Sequence, residues 1–264
     1  QEKFTDADGD FKYTPGIDDF SLSDDVNNNG HWDPGLDVVL VEWDDESYRL
    51  LEDEPKPLSR TIYADAIRNL TDAGAKVIVF DIEFDLGDSQ FKIHKKTKSI
   101  KELRERRLDG DYELINAISY ANELGTKVIL AGATKEEITR VPPMYVLYPY
   151  DKIMEMDIPP YVGMVNVTKD SDGIHRLYPV YQKVHGDDRF YYSLGMSAVL
   201  RYLDIEDDIK PKFDIDNKII SLGPINIQCY GLQQYFLVNF QGPPSGQGDF
   251  KTFLRYPLAW VIDT

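Results

Sequence analysis

Two short apolar runs, at residues 77–80 and 127–131, constrain the fold more than any other feature of this sequence. Neither run alternates between apolar and polar residues, which is typical of strands buried on both faces of a sheet. A third strand is predicted at 38–43, and a helical segment lies between each pair of strands. Alternating strands and helices require crossover connections, which favour a parallel sheet.

The helical segments carry their own start and stop signals. Ser59 is an N-cap residue for a helix that ends before Gly74, and Asp111 is the predicted cap of a second helix that ends at Gly125. The second half is richer in strand patterns, with a predicted hairpin over 163–178, a helix after Ser193, and strands at 218–222, 225–229 and 235–240. We therefore predict an α/β fold: a mixed sheet with a parallel core of the strands near 38–43, 77–82 and 127–131, helices on both faces, and a β-rich second half.

The charge of the chain is concentrated at one end. The 264 residues carry a formal charge of -17, and residues 1–54 contain 17 of the 46 acidic residues but 3 of the 29 basic ones. Such a charge argues against a nucleic-acid partner. No apolar run approaches the roughly 18 residues of a membrane span, so we expect that this chain does not itself insert in a membrane. The single Cys229 excludes an internal disulfide framework.

A tandem acidic repeat occupies residues 1–37, which we predict to be a domain of its own. The two copies, 6–18 and 25–37, align without gaps, and both have oxygen-bearing side chains at places one, three and five. Calcium takes six to eight oxygen ligands, and loops with oxygens at alternate places resemble the calcium loops of EF-hand, dockerin and thrombospondin-type repeats. The predicted ligands are Asp6, Asp8, Asp10, the Lys12 carbonyl and Asp18 in the first copy, and Asp25, Asn27, Asn29, the His31 carbonyl, Asp33 and Asp37 in the second. An acidic leader with Asx turns is the alternative interpretation.

Acidic residues also follow the predicted strands. Asp44, Asp45, Asp81 and Asp85 come at or just after two strand ends, where ligands of parallel sheets gather. A divalent-metal site for hydrolysis is one interpretation of these four acids. The other is helix capping and hydrogen bonding, which we favour because the sequence contains no nucleophile motif, glycine-rich phosphate loop or histidine cluster.

Several segments of residues 38–264 resemble a known family. The closest is 70–84, LTDAGAKVIVFDIEF, and the others are VVLVEWDDES at 38–47, PLSR at 57–60, GMVN at 163–166, DSDGIHR at 170–176, SL at 193–194 and NFQGP at 239–243. In this order they resemble the second class of CHASE domains, the cyclase and histidine-kinase-associated extracellular sensing domains. Leu58 and Ser59 depart from the Pro-Trp-Pro-Arg helix start of that family.

The resemblance implies an extracytoplasmic sensor, periplasmic or at the cell surface, tethered in a bacterial receptor by membrane helices outside this sequence. The output of the receptor would be an adenylate or guanylate cyclase, a histidine kinase or a Ser/Thr kinase. The stimulus would be an unknown small molecule or protein. The resemblance is also compatible with a homodimer in the receptor. We expect no enzymatic activity in the domain itself. We predict that Asp45, Arg60, Asp81, Asp172 and Arg176 form a polar cluster that holds the fold or lines a ligand cleft. Arg60 should pair with one of the three acids, because an arginine at a helix start beside strand-end acids needs a partner.

Overall fold

The computed structural model describes residues 4–5, 19–20, 38–52, 54, 57–87, 100–136, 144–167, 175–206, 208–230, 234–238 and 254–262. Among these residues the helices are α1 (Asp45–Leu50), α2 (Arg60–Asp72), α3 (Ile100–Glu123), α4 (Asp151–Met154), α5 (Leu194–Tyr202) and α6 (Leu258–Ile262). The strands are β1 (Phe4–Thr5), β2 (Asp19–Phe20), β3 (Val39–Glu42), β4 (Val77–Glu83), β5 (Lys127–Glu136), β6 (Met144–Leu147), β7 (Tyr161–Met164), β8 (Leu177–Pro179), β9 (Tyr181–Gln182), β10 (Tyr191–Tyr192), β11 (Lys212–Asp214), β12 (Ile219–Leu222), β13 (Ile225–Gln228), β14 (Tyr235–Leu237) and β15 (Leu254–Pro257).

The parallel core of the mixed sheet consists of β4, β5 and β7, with β5 in the middle. The end of β5 continues beyond this core and pairs antiparallel with β6. The prediction that the strand near 38–43 belongs to the parallel core is wrong, because β3 pairs with β15 in a two-stranded sheet. A run of apolar residues identifies a strand but carries no information about its partner, and here β15 follows more than 200 residues later.

Helices cover both faces of the parallel core, as predicted. On one face, side chains of α2 and α3 pack against Ile78, Val128 and Leu130 in one buried apolar cluster. On the other face, α5 contacts all three parallel strands. Gly163 of β7 permits this contact, because a Cβ at that position would lie 2.6 Å from Leu194 Cα. The predicted α/β fold class is therefore confirmed.

Helix α2 begins and ends where the sequence predicts. The side chain of Ser59 accepts a hydrogen bond from the Thr61 amide, and the helix gives way to Gly74 at a φ of +86°. Buried Ala64 and Ile67 lie on its inner face. Because the caps and the apolar face are local features, a single sequence was enough to locate this helix.

Helix α3 begins eleven positions before its predicted cap. It starts at Ile100, and Asp111 lies inside it rather than at its N-terminus. Residues 101–109 are mostly Lys, Glu, Leu and Arg, which are good helix formers without an apolar stripe, so a prediction based on an apolar stripe leaves them out. The helical periodicity of 114–124 also predicts that Leu124 lies on the inner face of this helix, but that residue is 59% exposed just beyond the helix.

The second half is rich in strands, as predicted, but its pairings differ. The predicted hairpin over 163–178 is wrong: β7 pairs parallel with β5, and β8 pairs antiparallel with β14. The Asp-Gly turn of that hairpin lies outside the described residues. Strands β11, β12 and β13 form a separate antiparallel sheet. The predicted helix after Ser193 is present as α5.

The chain divides into two units, residues 1–42 with 241–256, and residues 43–240 with 257–264. In the first unit, Arg255 of β15 forms an ion pair with Glu42 of β3. In the second unit, α6 is held by two hydrogen bonds: Ala259 N donates to the buried Ser47 Oγ at 3.1 Å, and Asn69 Nδ2 donates to the Val261 carbonyl at 2.7 Å. No helix within the described ranges is long and apolar enough to span a membrane.

Candidate functional site

The strongest candidate site lies where β5 leaves the parallel core. Up to Gly132, β5 pairs with β7, and from Ala133 onward it pairs with β6 instead. In open α/β sheets, ligands usually bind outside the carboxyl ends of the parallel strands. A Cβ at Gly132 would lie 2.6 Å from Val162 Cγ1, so a residue without a side chain is required at this junction.

Three polar side chains form a hydrogen-bonded group at this edge, which we call the strand-end network: Thr134, Asn166 and Gln182. The Asn166 amide binds the backbone of Thr134 twice, with Thr134 N donating to Oδ1 at 2.6 Å and Nδ2 donating to the Thr134 carbonyl at 2.9 Å. Gln182 Nε2 donates to the Asn166 carbonyl at 3.2 Å, and Thr134 Oγ1 donates to Gln182 Oε1 at 2.5 Å. The network thus joins β5, the segment after β7 and β9.

A second polar group, which we call the tyrosine cluster, consists of Asp187, Arg189 and Tyr191 of the β9–β10 hairpin together with Tyr148, which follows β6. The Tyr191 hydroxyl donates to Asp187 Oδ2 at 2.5 Å, and Arg189 Nη2 donates to the same oxygen at 2.7 Å. The side chain of Arg189 is 68% exposed, whereas Tyr191 is buried. The cluster therefore presents a guanidinium group to solvent above a buried phenol.

Asp187, Arg189 and Tyr191 each have a pKa shifted away from its ordinary value. The hydrogen bonds from Arg189, and then that from Tyr191, lower the pKa of Asp187. The bond to Asp187 raises the pKa of Arg189. Burial raises the pKa of Tyr191, and its hydrogen bonds with Asp187 and Tyr148 raise it further. At neutral pH Asp187 is accordingly a carboxylate, Arg189 a guanidinium and Tyr191 a protonated phenol.

The two groups adjoin through the β9–β10 ladder, in which Gln182 is the register partner of Tyr191. Tyr191 and Tyr148 also pack against Met164, the last residue of β7. We call the strand-end network and the tyrosine cluster together the strand-end site. Its side chains are donors, acceptors and aromatic rings, which suits recognition of a polar ligand and supplies no recognisable nucleophile–base pair.

Arg60, a member of the predicted polar cluster, lies elsewhere, in the core between α2 and α3. Its side chain is 2% exposed, and Nη1 donates to Asp111 Oδ1 at 2.5 Å. Nη2 donates to the Leu86 carbonyl, and the guanidinium lies 5.3 Å from the ring centroid of Phe84 and 5.6 Å from that of Tyr150. The expectation that Arg60 pairs with Asp45 or Asp81 is therefore wrong, since the carboxylate that meets it comes from inside α3.

The remaining members of that predicted cluster do not join Arg60 in the part of the chain that the structure describes. Asp45 is exposed in the first turn of α1, and Asp81 is exposed on β4. Arg176 is exposed, and its carbonyl accepts a hydrogen bond from Val238 N at 2.8 Å. Asp172 lies outside the described residues, so its place in the cluster stays a prediction.

The four strand-end acids do not form a metal site. Within the described ranges, no group of three or more His, Cys, Asp or Glu side chains is arranged to hold a metal ion. Asp44 instead caps α1 by accepting a hydrogen bond from Ser47 N at 2.8 Å, which lowers the pKa of Asp44. Asp81 precedes the end of its strand, because β4 continues to Glu83. The expectation that Asp44, Asp45, Asp81 and Asp85 gather at one point is wrong.

The predicted calcium ligands lie outside the described residues. The structure does describe the short strands on either side of the first acidic copy, β1 and β2. They pair antiparallel, with Phe4 opposite Phe20 and Thr5 opposite Asp19. The residues that flank the 6–18 segment, Thr5 and Asp19, are therefore register partners.

Sequence reasoning missed most of the strand-end site. Of its residues, only Asn166 lies in a segment that the sequence singles out, 163–166. Thr134 and Gln182 are 48 positions apart, and no local pattern joins them. The three charged residues at 187–189, followed directly by three aromatic residues at 190–192, are the one local signal that marks the tyrosine cluster.

Comparison with protein families gives one match. The family model for the CHASE2 domain matches residues 17–263, nearly the whole chain. The match begins upstream of residue 38, where the resemblance in the sequence analysis begins, and thus includes the second acidic copy. No curated protein and no solved structure matches the chain.

Proposed function

The chain belongs to the CHASE2 domain family, the extracellular sensing domains of signalling receptors, and we propose that it is the ligand-binding sensor of a bacterial transmembrane receptor. Membrane helices outside this sequence would tether it, and the cytoplasmic output would be an adenylate or guanylate cyclase, a histidine kinase or a Ser/Thr kinase. The stimulus is a small molecule or protein outside the cytoplasmic membrane. The domain itself carries out no catalysis.

The strand-end network is the observation that carries this proposal. It lies beyond the carboxyl ends of β5 and β7 in the parallel core and joins three separate segments through four hydrogen bonds. A polar ligand that engages Gln182 competes directly with the bonds that hold β9 to the Asn166 segment. Sensing requires two arrangements with different ligand affinity, and such an exchange of hydrogen bonds supplies them.

The charge on the exposed part of the site favours a polar or anionic stimulus. Arg189 donates hydrogen bonds from Nε and Nη2 to Asp187, and its side chain is 68% exposed. The chain as a whole carries -17, so a nucleic acid is not the partner we propose. A metal-dependent hydrolase would need the four strand-end acids to form a metal site. They do not form one, so we do not propose this function.

A thermal-shift screen of small polar metabolites tests the proposal. We expect a ligand that raises the melting temperature of the wild type and not that of Gln182→Ala. Gln228→Ala is the matched control, because Gln228 is an exposed glutamine that also donates to backbone carbonyls, those of Asn217 and Lys218. An equal ligand effect on both variants would place the ligand elsewhere. Metal-dependent turnover of phosphatase, nuclease or esterase substrates that is abolished in Asp81→Asn would contradict the sensor function itself.

We also propose that the acidic repeat binds two calcium ions. The support is the repeated alternate-oxygen spacing together with the antiparallel pairing of β1 and β2, the strands that flank the first copy. Extracellular calcium modules bind with Kd values of about 0.1–1 mM, and we expect the same range here. Calorimetry should show calcium binding by the intact chain and its loss in the double variant Asp8→Ala, Asn27→Ala. Equal, negligible heats for both chains would refute this proposal and leave the sensor proposal untouched.

A further inference from the structure

The antiparallel sheet of β11, β12 and β13 has an exposed edge of unusual composition. In the described part of the chain β11 is an outer strand of this sheet, and its three residues, Lys212, Phe213 and Asp214, are all exposed. Phe213 is 53% exposed, and Ile215, directly after the strand, is 70% exposed. Exposed sheet edges carry unpaired backbone groups, and proteins commonly cover or protect them.

The apolar face of this sheet continues to the β11 edge. Phe213 is opposite Ile220, which is buried in a cluster with Leu222 and Tyr181. The Phe213 ring lies 6.2 Å from the Tyr181 ring in an edge-to-face arrangement. Half of Phe213 thus completes the cluster of its own chain, and the other half remains uncovered at the sheet edge.

The opposite face of β11 carries one charge of each sign. Lys212 is opposite Ser221 and Asp214 is opposite Ile219, so both point away from the apolar cluster. Asp214 accepts hydrogen bonds from Asn217 N at 3.0 Å and from Asn217 Nδ2 at 2.8 Å, and these bonds lower its pKa. Along β11, a cation (Lys212), an aromatic residue (Phe213) and an anion (Asp214) therefore follow one another.

We propose that β11 pairs antiparallel with β11 of a second copy of this chain, about a two-fold axis at Phe213. In that register Lys212 is opposite Asp214 of the partner subunit, and the symmetry makes the same contact twice. The two Phe213 rings meet across the axis and extend the apolar cluster of each chain. A lone lysine on an edge strand protects it from pairing, but here the aspartate two positions later makes the self-pairing attractive.

The outer edge on the other side of the sheet lacks this complementarity. On β13, Asn226 accepts a hydrogen bond from Ser221 Oγ at 2.6 Å, and Gln228 donates to the carbonyls of Asn217 and Lys218. These side chains are uncharged and engaged within their own sheet. The charge pattern therefore selects β11 as the self-pairing edge.

The proposed contact is small, so we expect weak association of the free domain. Stable dimers usually bury about 1,200–2,000 Å², and a three-residue strand covers less. The charge of -17 on each copy adds repulsion, which is screened over about 8 Å at physiological salt. Tethering two copies side by side raises their effective concentration and makes a weak contact sufficient. The pairing does not depend on the ligand or on the strand-end site.

Disulfide trapping tests the register. With diamide as oxidant at physiological salt, Phe213→Cys should form a covalent dimer. The Cα atoms of residue 213 in the two copies would be about 4.5–5.5 Å apart, within the roughly 4.4–6.8 Å that a disulfide spans. Lys212→Cys should not form a covalent dimer, because the Cα atoms of residue 212 in the two copies would be about 8 Å apart. The wild type is the blank, since its Cys229 is buried. Asn226→Cys is the control for the β13 edge.

A charge reversal separates specific pairing from random collision. In the Phe213→Cys background, Lys212→Glu should lower the rate of dimer formation about tenfold, because it places two like-charged pairs across the axis. Lys210→Glu makes the same change in net charge at an exposed position outside the strand and should have a small effect. Absence of the Phe213→Cys dimer would overturn the proposal. So would equal trapping at 212, 213 and 226, or equal effects of the two charge reversals.

Discussion

The buried ion pair between Arg60 and Asp111 makes a quantitative prediction about stability. Arg60→Met keeps most of the apolar stem and removes the guanidinium, which takes away the ion pair with Asp111, a side chain only 13% exposed. Removing one partner of a buried pair costs about 3–5 kcal/mol. The substitution also removes the hydrogen bond to the Leu86 carbonyl and the contacts with the rings of Phe84 and Tyr150. We expect a loss of about 4 kcal/mol, a large part of the roughly 5–15 kcal/mol of a typical domain.

The double variant Arg60→Met, Asp111→Leu should be more stable than Arg60→Met. It removes the buried carboxylate as well as the guanidinium and leaves the Leu86 carbonyl without its hydrogen bond from Arg60, at a cost of about 1–3 kcal/mol. Arg68 and Glu113 provide a matched control on the same two helices, because their ion pair has side chains 32% and 39% exposed. Arg68→Met should cost no more than about 1 kcal/mol.

Urea unfolding of the wild type, the two Arg60 variants, Asp111→Leu and Arg68→Met measures these differences as a double-mutant cycle. A coupling energy above about 1 kcal/mol between Arg60 and Asp111 is expected for a buried pair. Additive effects of the two single variants would refute the reasoning, because they would mean that neither side chain depends on the other. A loss for Arg68→Met as large as that for Arg60→Met would show that burial is not the cause.

Two further predictions concern close packing and pH. Gly163→Ala should destabilise the chain by about 1–3 kcal/mol, because the new Cβ would meet Leu194 Cα at 2.6 Å. Gly195→Ala is the control inside α5: the new Cβ would lie 3.5 Å from its nearest neighbour, so the change should be neutral or stabilise the chain by up to about 1 kcal/mol. Thermal unfolding compares the two variants, and equal melting temperatures would contradict the prediction. Asp204 has its pKa lowered to about 2 by hydrogen bonds, first that from Lys127, so its contribution to stability is present above pH 4 and is lost as the pH falls from 4 to 2. The stability difference between wild type and Asp204→Asn in urea unfolding should therefore shrink over that range, and a difference that is independent of pH would contradict this reasoning.

The sequence predicts those parts of the fold that depend on neighbouring residues. Helix α2 follows from Ser59, its apolar face and Gly74, and β4 and β5 follow from continuous apolar runs. Pairings over long distances do not follow, because a strand carries no local record of its partner. The pairing of β3 with β15 and that of β8 with β14 were both missed for this reason.

Side-chain contacts over long distances are equally absent from the sequence pattern, both around Arg60 and in the strand-end site. A single sequence identifies Arg60 as an arginine that needs an acid, but the acid is Asp111, 51 positions later and inside a helix whose start was misplaced. Asn166 is visible in its segment, but its role depends on the backbone of Thr134, with which it pairs only after β5 and β7 are side by side. Residue types suggest the chemistry, and topology selects the partners.

The most direct test of the central claim is hydrogen–deuterium exchange of the intact chain with and without the metabolite that gives the largest thermal shift. A sensor that binds at the strand-end site should show slower exchange at the Thr134 amide, which donates to Asn166, and along the β9–β10 hairpin. The Gln182→Ala variant should show no such slowing with the same metabolite, whereas Gln228→Ala should behave as the wild type. Protection confined to segments away from the strand-end site, or retained in full by Gln182→Ala, would contradict the account.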